Sequence, residues 1–176
     1  MLFLFGKDDL MNDYLIVGGG VIGTLIAREL TQYEGKVTLL EKEEKLAQMQ
    51  TTHNSALVHS PVLIPPSSGF FKSKFTLEGN RMHHELINMF DVPAVTEGAI
   101  LLATSEEEMV RIRMIGKEAS SRGLNHVRML SVDDIRKDVP AVSEHVKGGL
   151  DMPGAMTLDT YALVKRTASN ERLNGA

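Results

Sequence analysis

The residues best suited to chemistry are three glycines and an acid. Gly18, Gly20 and Gly23 stand at Gly-x-Gly-x-x-Gly spacing, with Val21 and Ile22 between the last two. Gly18 permits a tight turn, Gly20 lets backbone N–H groups approach a diphosphate, and Gly23 lets a helix pack closely on a strand. A helix starting at this turn would direct the positive end of its dipole at that anion. Glu41, with Lys42 beside it, follows about twenty residues on, where a carboxylate can accept both ribose hydroxyls of an adenosine. The same charge would repel a 2′-phosphate and argues against an NADP-type ligand. A dinucleotide is the ligand this spacing implies; the alternative is a glycine turn closing a unit without a ligand.

The flanking sequence predicts the elements that such a turn requires. Tyr14-Leu15-Ile16-Val17 is an apolar run ending at the glycines, read as a strand buried on both faces. Val21, Ile22, Leu25, Ile26 and Leu30 recur at helical spacing, and Lys36–Glu41 reads as a second strand. Strand, turn, helix and strand in about thirty residues make a βαβ unit with a parallel sheet and a right-handed crossover. Residues 1–10 fit no part of it, and Met11 is a natural start for the unit.

Further along, the spacing predicts a helix over Thr76–Asp91, with Met82, Leu86, Met89 and Phe90 filling a core. Val95–Thr104 reads as one strand. Ser105 and Glu108 form a capping box that opens a helix, Gly123 ends it, and Met109, Ile112, Ile115 or Gly116, and Ala119 face inward. That box gives the acidic run Glu106-Glu107-Glu108 a structural explanation. Ser131 starts a short helix, Val146–Leu150 is a strand, and Asp159 caps a last helix running to about Asn174.

Three strings carry a resemblance to a known family: Val17–Gly23, Asn54-Ser55-Ala56-Leu57-Val58-His59, and Glu78-Gly79-Asn80-Arg81-Met82. It continues through Asp91-Val92-Pro93, Gly98–Ala103 and Ser105–Glu108. The chain resembles flavin-dependent oxidoreductases of the D-amino-acid-oxidase type, and among them the FAD-dependent glycerol-3-phosphate dehydrogenases and oxidases. The stretch Gln50–Ser60 is also similar to L-2-hydroxyglutarate oxidases. The resemblance implies FAD as cofactor, held by Gly18, Gly20, Val21, Ile22, Gly23, Glu41 and Lys42. It also implies that Thr51, Thr52, Asn54 and Ser55 lie along the diphosphate and the flavin-proximal linker. Ser60-Pro61 departs from the family, whose members commonly have Ala/Ser-Gly there.

The implied reaction is hydride transfer from an alcohol carbon to FAD, with an anionic hydroxy compound as substrate. His59 is the candidate catalytic residue, beside the flavin or substrate; the other reading is a histidine bonded to backbone at a strand end. His53, His83, His84, His126 and His145 show no paired spacing for a metal, and no metal site is expected.

The implied fold is α/β, a Rossmann-like FAD-binding parallel sheet with the start of a second, α+β substrate domain, truncated. Its expected divisions are an extension at 1–11, the FAD-binding part at 12–92, a partial substrate domain at 93–155, and a helix returning to the first domain at 156–176. Members of the family are about twice this length or more. The chain is therefore expected to be the N-terminal part of an oxidoreductase, or a non-catalytic truncated remnant.

Composition excludes other classes. The 176 residues carry 19 Lys+Arg against 23 Asp+Glu, a net charge of −4, and no basic run that would suit nucleic acid. With no Cys, disulfides and thiolate chemistry are absent, which fits a reducing, cytoplasmic setting. No apolar run approaches the roughly 18 residues needed to span a bilayer. Peripheral membrane association of the full-length parent stays open.

Overall fold

A computed structural model describes residues 13–173; the expected N-terminal extension and Met11 lie outside them. The described chain forms two compact units. The first comprises residues 13–56, 87–93 and 159–173, the second 57–86 and 94–158.

In the first unit, β1 (Tyr14–Val17) pairs in parallel with β2 (Val37–Leu40), Tyr14 opposite Val37 and Val17 opposite Leu40. Helix α1 (Val21–Leu30) connects them, completing the βαβ unit. The buried face of α1 is made of small residues, Gly23, Thr24 and Ala27, and it packs on the unit's last helix, Thr160–Leu173. That helix contributes Leu163, Val164 and Thr167, all essentially inaccessible. Two expectations are corrected here. Leu15 and Val17 are 57% and 81% exposed, so β1 is not covered on both faces, and Ile22 and Ile26 point outward. Ile16 faces Gly23 of α1, while Leu15 and Val17 alternate to the opposite face of the strand.

The second unit is α+β. Strands β3 (Leu57–Val58) and β4 (Ala94–Val95) flank β8 (Met156–Leu158), while β5 (Ala99–Ala103) and β6 (Arg128–Leu130) flank β7 (Gly148–Met152). All of these pairings are antiparallel. Helix α3 (Glu106–Ser121) covers one face of the second sheet, with Met109, Ile112 and Ala119 packed around Ala103, Leu150 and Met152. The short helix α4 (Val132–Asp138) brings Ile135 to a cluster with Leu130 and Val146.

Helix α2 (Phe70–Phe90) runs from the second unit into the first. It starts six residues earlier than the sequence predicts, directly after Gly69 at φ +123°. Met82 and Met89 are exposed rather than core, and Leu86 is the buried apolar residue. The expected strand Val95–Thr104 is two strands, because Gly98 turns the chain at φ +91° against Pro153. β7 lies two residues later than predicted at each end, and β6 and β8 are elements that the sequence pattern did not reveal.

Helix ends follow local chemistry closely. Gly123 (φ +81°) ends α3 in a Schellman motif, with Leu124 N–H donating to the Ala119 carbonyl at 3.0 Å. Asp91 (φ +50°) takes the same position after α2, and Val92 N–H donates to Ile87 at 3.0 Å. The final helix, α5 (Thr160–Leu173), is capped by Asp159, whose Oδ1 accepts from Ala162 N–H at 2.8 Å. At α3, Ser105 accepts from Glu108 N–H, but the Glu108 carboxylate reaches Thr104 instead of Ser105. The complete capping box is at α4, Ser131 with Asp134; the Ser131 hydroxyl and then Lys137 hold the Asp134 carboxyl down at about 2.

A buried and a half-buried polar side chain, Asn80 and Arg122, tie loops together in the second unit. Asn80 donates to the carbonyls of His59 (3.2 Å) and Gly154 (2.6 Å). Arg122 donates to Pro61, Val62 and Ile64 carbonyls, closing the 3-10 turn Pro61–Leu63 that Ser60 opens as its cap. Removing Asn80's amide strands two carbonyls, so Asn80→Ala is expected to cost about 1–3 kcal/mol in chemical denaturation.

Candidate functional site

The glycine turn lies between the end of β1 and the start of α1. Gly18 sits at φ +109° and donates its N–H to the Leu40 carbonyl at 2.7 Å, fastening the turn to β2. A Cβ on Gly23 would overlap the Gly18 carbonyl oxygen, so α1 can approach the turn only because residue 23 has no side chain. The amides of the first helical turn have no preceding helical carbonyl to bond. No side chain of the N-cap residue, Gly20, serves them.

Two side chains from the 41–56 loop reach this helix head. Thr51, 8% exposed, accepts from Val21 N–H at 3.0 Å, and its Oγ1 lies 2.9 Å from where a Cβ on Gly20 would stand. Glu41 accepts from Gly19 N–H at 2.6 Å through Oε2 and from Glu43 N–H at 2.9 Å through Oε1. Those backbone donors, Glu43 first and Gly19 next, hold its carboxyl below the ordinary value of 4.5. Each carboxylate oxygen keeps a further lone pair. The loop is closed by Ala47, held at φ +63°, which donates to the Gly19 carbonyl and accepts from the Thr52 hydroxyl at 2.7 Å.

These groups enclose a cleft of about 390 Å³, lined among others by Gly18, Gly20, Glu41, Lys42, Met49 and Thr51. Its chemistry suits a diphosphate flanked by a ribose: bare main chain at the glycines, a helix N-terminus behind, a lysine at the rim and a carboxylate just past the end of the neighbouring strand. Any side chain at Gly20 would meet Thr51 at this narrow point.

Of the residues singled out from sequence, Gly18, Gly20, Glu41, Lys42 and Thr51 come together around the cleft. Gly23 shapes it from behind, Val21 contributes its N–H to Thr51, and the Ile22 side chain is 73% exposed. Thr52 and Asn54 instead hold the loop, Asn54 donating to the Gln50 and Thr51 carbonyls and accepting from Ala56 N–H. Ser55 is exposed and is not among the lining residues. His59 belongs to the second unit, exposed just after β3, and its backbone carbonyl binds Asn80. The spacing argument missed Ala47, Gln48, Met49 and Gln50 as lining residues; no residue type among them signals a ligand.

A family model described as FAD dependent oxidoreductase (DAO) matches residues 13–176. The chain belongs to that family. Among curated relatives, this family member is 34% identical over 165 residues to a glycerol 3-phosphate dehydrogenase of Caloramator mitchellensis, covering 94% of this chain and 34% of the relative. It is 33% identical over 147 residues to the L-2-hydroxyglutarate dehydrogenase of Escherichia coli K12, covering 82% and 34%. Among solved structures, the L-alpha-glycerophosphate oxidase of Mycoplasma pneumoniae with FAD bound matches at a TM-score of 0.83 and 30% identity, covering 93% of this chain and 43% of the oxidase. The chain thus spans about a third of the length of the curated relatives it matches.

Two outcomes are expected of this FAD-family turn. Gly23→Ala forces α1 off the Gly18 carbonyl and should lower stability by about 1–3 kcal/mol, read by denaturant unfolding. Glu41 has a lowered folded-state pKa, so its contribution is complete above the ordinary value and is lost as pH falls through the lowered one. The difference in thermal midpoint between wild type and Glu41→Gln should therefore shrink as pH falls below the ordinary carboxyl value of 4.5.

Proposed function

We propose that the chain binds FAD in the 18–51 cleft and is the N-terminal part of an oxidoreductase acting on an anionic hydroxy compound, glycerol 3-phosphate first. The observation that carries this reading is the frame around the head of α1: Gly20 kept bare beneath Thr51, with Glu41 holding Gly19 from just after β2. In it, the Gly18–Gly23 main chain would take the diphosphate, Glu41 the adenosine ribose and Lys42 part of the anionic charge. Thr51 keeps its hydroxyl proton available for a phosphate oxygen while its lone pair holds Val21 N–H. FAD, when bound, supplies the hydride acceptor for the substrate's alcohol carbon. His59 is the candidate to take the alcohol proton, in keeping with an imidazole's two-state chemistry near neutral pH.

L-2-hydroxyglutarate is the second substrate reading, supported by relatives of near-equal identity. Both compounds present a C–OH group near an anion, so the reaction class is common to the two. A cytoplasmic location is proposed with it; the absence of Cys suits a reducing compartment.

Titrating the purified chain with FAD, followed by flavin fluorescence, tests the reading. Wild type should bind, Gly20→Val should abolish binding, and Thr51→Val should weaken it about tenfold, equivalent to ~1.4 kcal/mol. Binding of NAD with no affinity for FAD would overturn it. Bleaching of the bound flavin by glycerol 3-phosphate but not by L-2-hydroxyglutarate would select the first substrate. Bound flavin that neither compound reduces would support the non-catalytic remnant.

A further inference from the structure

A second cavity, of about 170 Å³, lies wholly within the second unit, among the 3-10 turn Pro61–Leu63, the middle of α2 and the Pro153-Gly154 bend. Two buried side chains at its inner end each keep one hydrogen-bonding capacity unused. Ser60, 2% exposed, accepts from Val62 N–H at 3.4 Å, and its hydroxyl proton meets no acceptor among the described residues. Asn80, 9% exposed, commits its amide nitrogen to the His59 and Gly154 carbonyls. Those two bonds fix which end of the amide is oxygen, and Oδ1 accepts from no group among the described residues. Both atoms converge on one corner. A Cβ on Gly154 would stand 3.5 Å from Asn80 Oδ1 and 3.6 Å from both Ser60 Oγ and Pro61 Cδ. Gly154 is not among the glycines at positive φ, so its backbone does not demand glycine. The missing side chain leaves the corner open, with a donor and an acceptor facing it.

One group both donates and accepts at a single atom, and that is a hydroxyl. The rest of the cavity states what the hydroxyl should be attached to. Leu77, Leu124 and Val127 make its apolar walls, and Arg81 and the exposed His126 are its charged and titratable members. No Asp or Glu lines it. Arg81 is paired with Glu85 one turn along α2 at 3.4 Å, both side chains well exposed. Such a pair contributes little, so the guanidinium can turn to another anion at small cost. The volume has room for roughly five waters, more than the two polar atoms could order.

We propose that this cavity binds a small hydroxy acid with a compact apolar body. The ligand hydroxyl donates to Asn80 Oδ1 and accepts from the Ser60 hydroxyl in the corner beside Gly154. Its carboxylate pairs with Arg81, with the His126 ring as a second donor, and its hydrocarbon part lies against Leu77 and Leu124. Apolar walls with a few convergent polar groups are the usual make-up of a small-molecule site. The proposal does not rest on the cofactor reading, since none of these residues lines the 18–51 cleft.

NMR titration of the full, flavin-free chain with α-hydroxyisocaproate tests it. Two analogues serve as controls: isocaproate, which lacks the hydroxyl, and the amide of α-hydroxyisocaproate, which lacks the charge. The hydroxy acid should bind, and each analogue should bind about tenfold more weakly or worse, because each leaves a group of the site unpaired. Gly154→Ala should abolish binding, since its methyl fills the corner at ordinary contact distances and should leave circular dichroism and thermal midpoint as in the wild type. Arg81→Gln, altering an exposed side chain, should erase the preference for the acid over its amide. Absence of binding by the hydroxy acid overturns the proposal, as does equal affinity for isocaproate or unchanged affinity in folded Gly154→Ala. Should Gly154→Ala fail to fold, Arg81→Gln decides: a preference for the acid that survives it removes the proposed anion contact and the proposal with it.

Discussion

The cleft depends on how the main chain at the head of α1 is held before any ligand is considered. A turn built from Gly18-Gly19-Gly20 has the largest conformational freedom to lose on folding. It is fixed by bonds from distant residues: Gly18 N–H to Leu40, Gly19 N–H to Glu41, Gly19 carbonyl to Ala47, and Val21 N–H to Thr51. Two of these partners, Leu40 and Glu41, sit at the end of β2 or just after it, so the parallel register of β1 and β2 helps to set the shape of the turn. A one-residue slip in that register would reverse the side-chain direction and carry Glu41 away from Gly19.

Glu41 illustrates how one residue serves two ends. In a dinucleotide-binding unit its position is explained by the ribose. In this structure both oxygens also accept main-chain N–H groups, and those bonds hold the carboxyl below its ordinary value of 4.5. A group already ionised and fixed loses little entropy on meeting a hydroxyl, which is the general advantage of preorganisation. Ala47 carries part of the same load: a non-glycine residue at positive φ persists because Gly19 and Thr52 bond it on both sides.

What could be read from sequence follows the range of the interaction involved. The βαβ unit, the glycine turn, the Ser105 and Asp159 caps and the Gly123 stop are short-range features, and each is present with the residues expected. Burial was much less legible. Leu15, Val17, Ile22, Met82 and Met89 are apolar at regular spacing, yet their exposure depends on which surfaces stand opposite them, which spacing does not encode. The three-residue strand β8 is too short for any period to reveal, although it is the central strand of its sheet. Met49 and Gln50 reach the cleft only because Thr51 anchors their loop to α1.

The Glu78–Met82 string shows the difference between what identifies a family and what performs its chemistry. Asn80 is its buried residue, and its amide satisfies the carbonyls of His59 and Gly154 from segments 21 and 74 residues away. Arg122 does similar work for three carbonyls around Pro61. Loops that run through the interior need such donors, because an unpaired buried carbonyl costs about as much as a lost hydrogen bond. Residues of this kind are tied to the architecture.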